Sequence, residues 1–375
     1  MRSEYSSDAA EAALSAHTVG MAVPRPAWRT IVAVGSRVAY TVGGLFLFIL
    51  ALELLKTGGA GLEPVLDRLS ADGSVNLMGF GWIGSYIVMS GSPVAAISLS
   101  LFASGSTSDA EAFAMLNGSR LGASFIVLFV GFILWVFHRR SADGLYIGVV
   151  ALVTSFTLWL PVLPVGLLVL DQGWFDGIEI GTPGAITSFV DVVYEPIVDR
   201  IADNVSDLAV FVIGVGTLLF AFTVFDRALP NLEQPSKRVE GIKEWLHRPL
   251  PMFGLGMVVT AITLSVSISL TLLIPLSLKG YIRRNAIIPY VMGANITTWV
   301  DTMVAALLLD SPHAFTIVFT QMVIGAAVSL LVLALIYKPY SAAIIAVANR
   351  VTHDKRAFAA FMGTILIVPL VLLLV

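Results

Sequence analysis

Two short segments hold most of the residues that could do chemistry in this 375-residue chain. One is Asn117-Gly118-Ser119-Arg120-Leu121-Gly122-Ala123-Ser124, the other Gly293-Ala294-Asn295-Ile296-Thr297-Thr298. Each interrupts a long apolar run. A charge inside such a run is expensive and is kept for function or for pairing, so Arg120 is the most informative residue. Its guanidinium suits the paired oxygens of a phosphate or carboxylate; the structural alternative is an ion pair with Asp301. Asp301 is itself open to three roles: sodium ligand, proton carrier or mate of Arg120. Two serine clusters, Ser90-Gly91-Ser92-Pro93 and Ser265-Val266-Ser267-Ile268-Ser269, break two further apolar stretches. Where a helix restarts, unpaired N–H groups attract an anion, and Ser92-Pro93 reads as an N-cap followed by a first helical residue. Where one stops, free carbonyls and Ser, Thr or Asn oxygens suit a hard cation such as sodium.

The surrounding elements must be membrane helices. The chain is 57% hydrophobic and 13% charged, against about 25% charged in a soluble domain. Spans are expected at 38–55, 110–138, 145–170, 206–226, 286–310, 314–337 and 357–375. The interrupted stretches 75–104 and 251–279 read as re-entrant hairpins, or else as ordinary helices with back-bonded serines. Residues 1–37 read as a cytoplasmic tail without a secretory signal. Segments 227–250 and 338–356 read as amphipathic surface helices. The net charge of -3 gives no nucleic-acid surface, and the lack of Cys removes thiol chemistry.

Charge sets the orientation. Arg139, Arg140, Lys237, Arg238, Lys243, Arg248, Lys338, Arg350, Lys355 and Arg356 fall on one side, while segment 171–205 is strongly acidic. The positive-inside rule then places the N-terminus in the cytoplasm and the C-terminus outside.

A shift of 175 residues superimposes the interrupted stretches: Ser90 on Ser265, Ser92 on Ser267, Gly105 on Gly280, Gly118 on Gly293. The loop after the first hairpin is acidic (Asp109, Glu111) and its equivalent basic (Lys279, Arg283, Arg284), which puts them on opposite membrane faces. The expected fold is therefore an all-α polytopic membrane protein with two inverted repeats, each holding a re-entrant helical hairpin and a broken transmembrane helix. Repeat 1 occupies 38–138 and repeat 2 occupies 206–311, with a linking span and acidic external loop at 139–205 and C-terminal spans at 312–375. Inverted repeats with discontinuous helices imply a secondary transporter with its site near the bilayer midplane.

The sequence also resembles the type II sodium/phosphate cotransporter family. The resemblance rests on Gly293-Ala294-Asn295-Ile296-Thr297-Thr298, on the Ser90-Gly91-Ser92 and Ser265-Val266-Ser267 tips, and on Gly44-Leu45-Phe46-Leu47-Phe48, and it covers 40–135 and 215–335. It implies binding roles for Ser90, Ser92, Ser265, Ser267, Asn295, Thr297 and Thr298. With Gly118, Ser119, Arg120, Gly293 and Asp301 these make up the candidate site, and sodium is expected near Ser267, Asn295 and Thr298. The family's tip glutamines are missing, and Gly118-Ser119-Arg120 stands where the family has Gly-Ala-Asn. The expected function is sodium-coupled symport of phosphate or a similar small anion across the plasma (inner) membrane, with sodium as coupling ion and no cofactor. The alternatives are a proton-coupled transporter of another anion and a non-transporting regulatory relative. No enzyme motif is present: HExxH, a nucleophile elbow and a phosphate-binding Gly-rich loop are all missing.

Overall fold

The structure is a computed structural model. It describes residues 27–62, 73–137, 142–178, 184–228, 248–263, 265–271 and 284–375, with a few isolated positions between them. Residues 1–26 of the expected 1–37 tail and the 229–247 segment lie outside the described residues, whereas 27–37, expected as tail, form the start of the helix Ala27–Gly58 that leads into the first span.

The protein is helical, with no strand among the described residues. In chain order the helices are α1 (Ala27–Gly58), α2 (Ser74–Val88), α3 (Ser92–Ala103), α4 (Asp109–Ala123), α5 (Phe125–Phe137), α6 (Ala142–Trp159), α7 (Val162–Asp171), α8 (Gly184–Val193) and α9 (Glu195–Ala202). They continue with α10 (Asp207–Ala228), α11 (Pro249–Thr263), α12 (Val266–Thr271), α13 (Arg284–Thr297), α14 (Trp299–Leu308), α15 (Pro312–Leu331), α16 (Tyr337–His353) and α17 (Lys355–Leu374). Seven stretches are long and apolar enough to cross a bilayer: Gly35–Leu62, Asp109–Ile133, Gly144–Asp171, Asp207–Val224, Arg284–Leu308, Pro312–His353 and Lys355–Leu374. They overlie the seven expected spans. Their outward faces carry Leu, Val, Ile and Phe, as a lipid-facing surface requires.

Segment 338–356 differs from expectation. Instead of forming a separate surface helix, α16 continues α15 through a π-helical segment at Val332–Ile336, so that Pro312–His353 is one 42-residue helical run. The wider π turn absorbs one irregular residue, Ile336 at φ -129, without ending the helix. Buried Ser341, Ile344, Ala348 and Val351 lie on one stripe of α16, which packs against α6 and α17.

Several helices are too short to span alone, and α2, with 15 residues, is one of them. α3 has 12 residues and α11 has 15, about 18 and 22 Å at ~1.5 Å per residue, short of the roughly 30 Å core. The turn between α2 and α3 is tight, with Met89 left-handed at φ 58 and the Ser90 N–H donating to the Ser85 carbonyl at 3.2 Å.

Small residues decide how closely these helices approach. A Cβ on Gly118 would strike the Met78 carbonyl oxygen, and one on Gly81 would strike that of Met115, so α2 and α4 pack backbone to backbone in parallel. A Cβ on Gly293 would likewise strike the Phe253 carbonyl, and one on Gly256 that of Tyr290. Every member of the second set lies 175 residues beyond its counterpart, and so do the bounds of α11 relative to α2 and the start of α13 relative to α4. Gly118 and Gly293 therefore serve close packing within continuous helices. The interruptions fall later, at Ser124 and Thr298, where single turn residues separate α4 from α5 and α13 from α14.

The two regions interlock. α3 packs against α14, and α12 packs against α5. The last helix closes over α2: the Asn76 side chain donates to the Leu373 carbonyl at 3.2 Å, and the Tyr86 hydroxyl donates to that of Ile365 at 3.1 Å.

Candidate functional site

Arg120 is fully buried on the last turn of α4. Its guanidinium carbon stands 4.2 Å from the ring centre of Trp299, the first residue of α14. A cation over an indole face is electrostatically favourable, more so when both are out of water. Asp301 is the carboxylate whose charge bears on Arg120, yet the two are not within the 4.0 Å of an ion pair. Nε and Nη2 of Arg120 have no hydrogen-bond partner.

Asp301 follows Trp299 on α14. One of its oxygens, Oδ1, accepts from the Thr302 hydroxyl at 2.9 Å; the other, Oδ2, is out of solvent and has no partner. Ser92 stands beside this carboxylate. The hairpin turn brings it there because Gly91 lies against α4, where a Cβ would sit 2.9 Å from the Ser119 carbonyl oxygen. Gly91, not Ser92, occupies the N-cap position of α3, and no side chain caps it. The expected capping role of Ser92 is therefore corrected. Its hydroxyl turns across to α14 instead.

Beyond Trp299 the polar lining continues into α6. Trp159 is fully buried with its ring 5.7 Å from that of Trp299 at 60°, and neither indole N–H has a partner. Asn117, one turn before Arg120, donates to the Trp159 carbonyl at 3.0 Å and leaves Oδ1 unpartnered. Asn295 donates to the Ser155 hydroxyl at 3.0 Å, Ser155 and Ser124 share a 2.7 Å hydrogen bond, and Asn295 Oδ1 is unpartnered. Thr298 is buried with a free hydroxyl, whereas that of Thr297 is spent on the Gly293 carbonyl at 3.3 Å. Ser119 is similarly spent on the Leu116 carbonyl at 2.7 Å.

The two serine tips are not equivalent. Ser265 accepts from the Ile268 N–H at 3.3 Å, and Ser269 bonds Thr260 of α11 and Tyr290 of α13 at 2.8 and 2.9 Å, so both hydroxyls already have protein partners. The side chain of Ser267 lies outside the described residues. Ser90 is half-buried at the first turn. Of the residues expected from sequence, Ser92, Arg120 and Asp301 share one neighbourhood, and Asn295 joins α13 to α4 through Ser155 and Ser124.

Gln321 escaped the sequence reading. It is fully buried on α15, and both ends of its amide lack partners. One turn along on the same face of α15, Gly325 meets the Trp159 indole so closely that a Cβ would collide with it. A lone amide inside the apolar run 314–337 was the available signal. Trp159 gave no such signal, since tryptophan at a span end ordinarily anchors the interface.

Together these groups comprise buried unpartnered donors (on Arg120, Trp159 and Trp299) and buried unpartnered acceptors (on Asp301, Asn117 and Asn295). No group of three or more metal-ligating His, Asp or Glu side chains occurs among the described residues. Comparison of the chain with protein-family models, curated proteins and solved structures finds no match.

Proposed function

We propose that this protein is a secondary active transporter that binds a small inorganic anion, phosphate or a close analogue, at Arg120 and moves it by alternating access with sodium. The carrying observation is a fully buried guanidinium with two unpartnered nitrogens, held by an indole and not by a carboxylate. Buried polar groups are ordinarily satisfied, so such donors signal a ligand.

The proposal includes two inverted repeats with re-entrant hairpins. The recurrence of helix bounds and glycine contacts at 175 residues supports the duplication. The opposite charge of the corresponding loops supports the inversion, with the N-terminus cytoplasmic and the C-terminus outside the plasma membrane. Transport would then follow from rocking one half against the other around a site built by both.

Sodium fits the unpartnered Asn295 Oδ1 and Thr298 hydroxyl, two neutral oxygens within one turn of each other. The unpartnered Asp301 oxygen favours a second reading, in which a proton takes the place of sodium. Uptake of radiolabelled phosphate into proteoliposomes tests both. Accumulation driven by an inward sodium gradient supports the first, and accumulation driven only by a pH gradient supports the second. Folded protein that takes up no phosphate under either gradient overturns the proposal.

A further inference from the structure

We infer that this site selects an oxyanion that still carries a proton, and that Asp301 is the residue that reads that proton. The inference rests on the anion-binding reading of Arg120 and adds to it a specificity-determining residue.

The geometry of Asp301 is that of a waiting acceptor. Oδ1 is fixed by the Thr302 hydroxyl at 2.9 Å and the Ser92 hydroxyl stands beside the carboxylate, while Oδ2 is buried and accepts no hydrogen bond in the structure. The nearest buried cation, Arg120, does not close on it within 4.0 Å; it leans on Trp299, two residues earlier on the same helix. Arg120 and the two indoles offer only N–H donors, which suit the unprotonated oxygens of an anion. Asp301 Oδ2 offers only an acceptor. A ligand that meets both must present bare oxygens on one side and an O–H on the other.

Phosphate and arsenate keep at least one proton near neutral pH, and sulfate keeps none. Sulfate would set an oxygen lone pair against a buried carboxylate oxygen and leave that oxygen unsatisfied. A site whose buried polar group requires a partner rejects the analogue that lacks it far more strongly than an apolar pocket rejects a misfit. A discrimination of about tenfold or more is expected, the smallest effect of an unpaired charged group.

Equilibrium binding of radiolabelled phosphate to the purified full chain in sodium-containing buffer, competed with unlabelled phosphate or sulfate, tests this. Sulfate should compete at least about tenfold more weakly than phosphate in the unaltered protein. Asp301→Asn should narrow the gap to a few-fold, since an amide can turn its NH2 toward a bare oxygen. Arg120→Lys should weaken both anions together and keep the ratio. Thr302→Val, which releases the carboxylate without replacing it, gives an independent check should Asp301→Asn fail to fold, and it too should narrow the ratio. Equal competition by the two anions in the unaltered protein, or an unchanged ratio in the folded Asp301 or Thr302 variants, overturns the inference while leaving anion binding intact. Folded protein that binds neither anion overturns the inference and the proposed function together.

Discussion

Arg120 rests 4.2 Å over the Trp299 ring and leaves Asp301, two residues further along the same helix, without a direct ion pair. An internal salt bridge would consume the guanidinium. A cation–π contact stabilises the charge through the ring face and leaves the N–H edge free. This arrangement separates a binding arginine from a structural one, and it can be tested directly.

Arg120→Ala should abolish phosphate uptake while the protein still runs as a single symmetric peak in size-exclusion chromatography. Loss of folded protein, recovered in an Arg120→Ala/Asp301→Ala double variant, would show instead that the two charges serve mainly each other.

Trp299→Phe and Trp299→Leu should diverge. Phenylalanine keeps a weaker aromatic face and should reduce uptake several-fold, whereas leucine removes it, a loss of roughly 0.5–2 kcal/mol of support for the cation. Measured apparent phosphate affinity should fall in the order Trp, Phe, Leu.

Gln321→Leu should separate stability from function. With both amide ends unpartnered, an apolar side chain of similar size should leave thermal stability unchanged or raised. Phosphate uptake should nevertheless drop if the amide lines the transported ligand's site. A fall in melting temperature would show instead that the amide is satisfied in the folded protein.

Substitution of individual glycines should sort them sharply. Gly118→Leu and Gly293→Leu should each prevent accumulation of folded protein, because a side chain there collides with the backbone of the adjacent helix. Gly254→Leu should be tolerated, since nothing lies within 4 Å of its Cβ position. Fluorescence-detected size-exclusion profiles of the three variants decide this.

Much of the architecture was legible because hydrophobic length is a strong signal. Seven long apolar helices overlie the seven expected apolar runs, and the first interrupted stretch turns at Met89–Gly91 as its serines suggested; the return half of the second, beyond Thr271, lies largely outside the described residues. Charge in an apolar run likewise exposed Arg120 and Asp301. What composition cannot supply is direction. Gly118 and Gly293 looked like helix breaks but are packing surfaces, and only the neighbouring helix reveals the difference. The serine tips looked alike, yet Ser265 and Ser269 bond partners within their own half of the sequence while Ser92 stands beside Asp301 in the other half. Trp159 reaches the site through tertiary contacts that no local pattern encodes.

The hydrogen bonds from Asn76 and Tyr86 to Leu373 and Ile365 join α2 to α17, far apart along the polypeptide. Synthesis runs from the N-terminus, so α2 emerges almost 300 residues before the carbonyls that satisfy it exist. At the roughly 5–20 residues per second of translation, that wait lasts at least about 15 seconds. During it the Asn76 amide and the Tyr86 hydroxyl lack these acceptors. The first hairpin can therefore complete these hydrogen bonds only once the Lys355–Leu374 helix has been made, however early α2 itself is inserted. Removing the chain beyond Thr364 would delete both carbonyls and leave that hairpin without them.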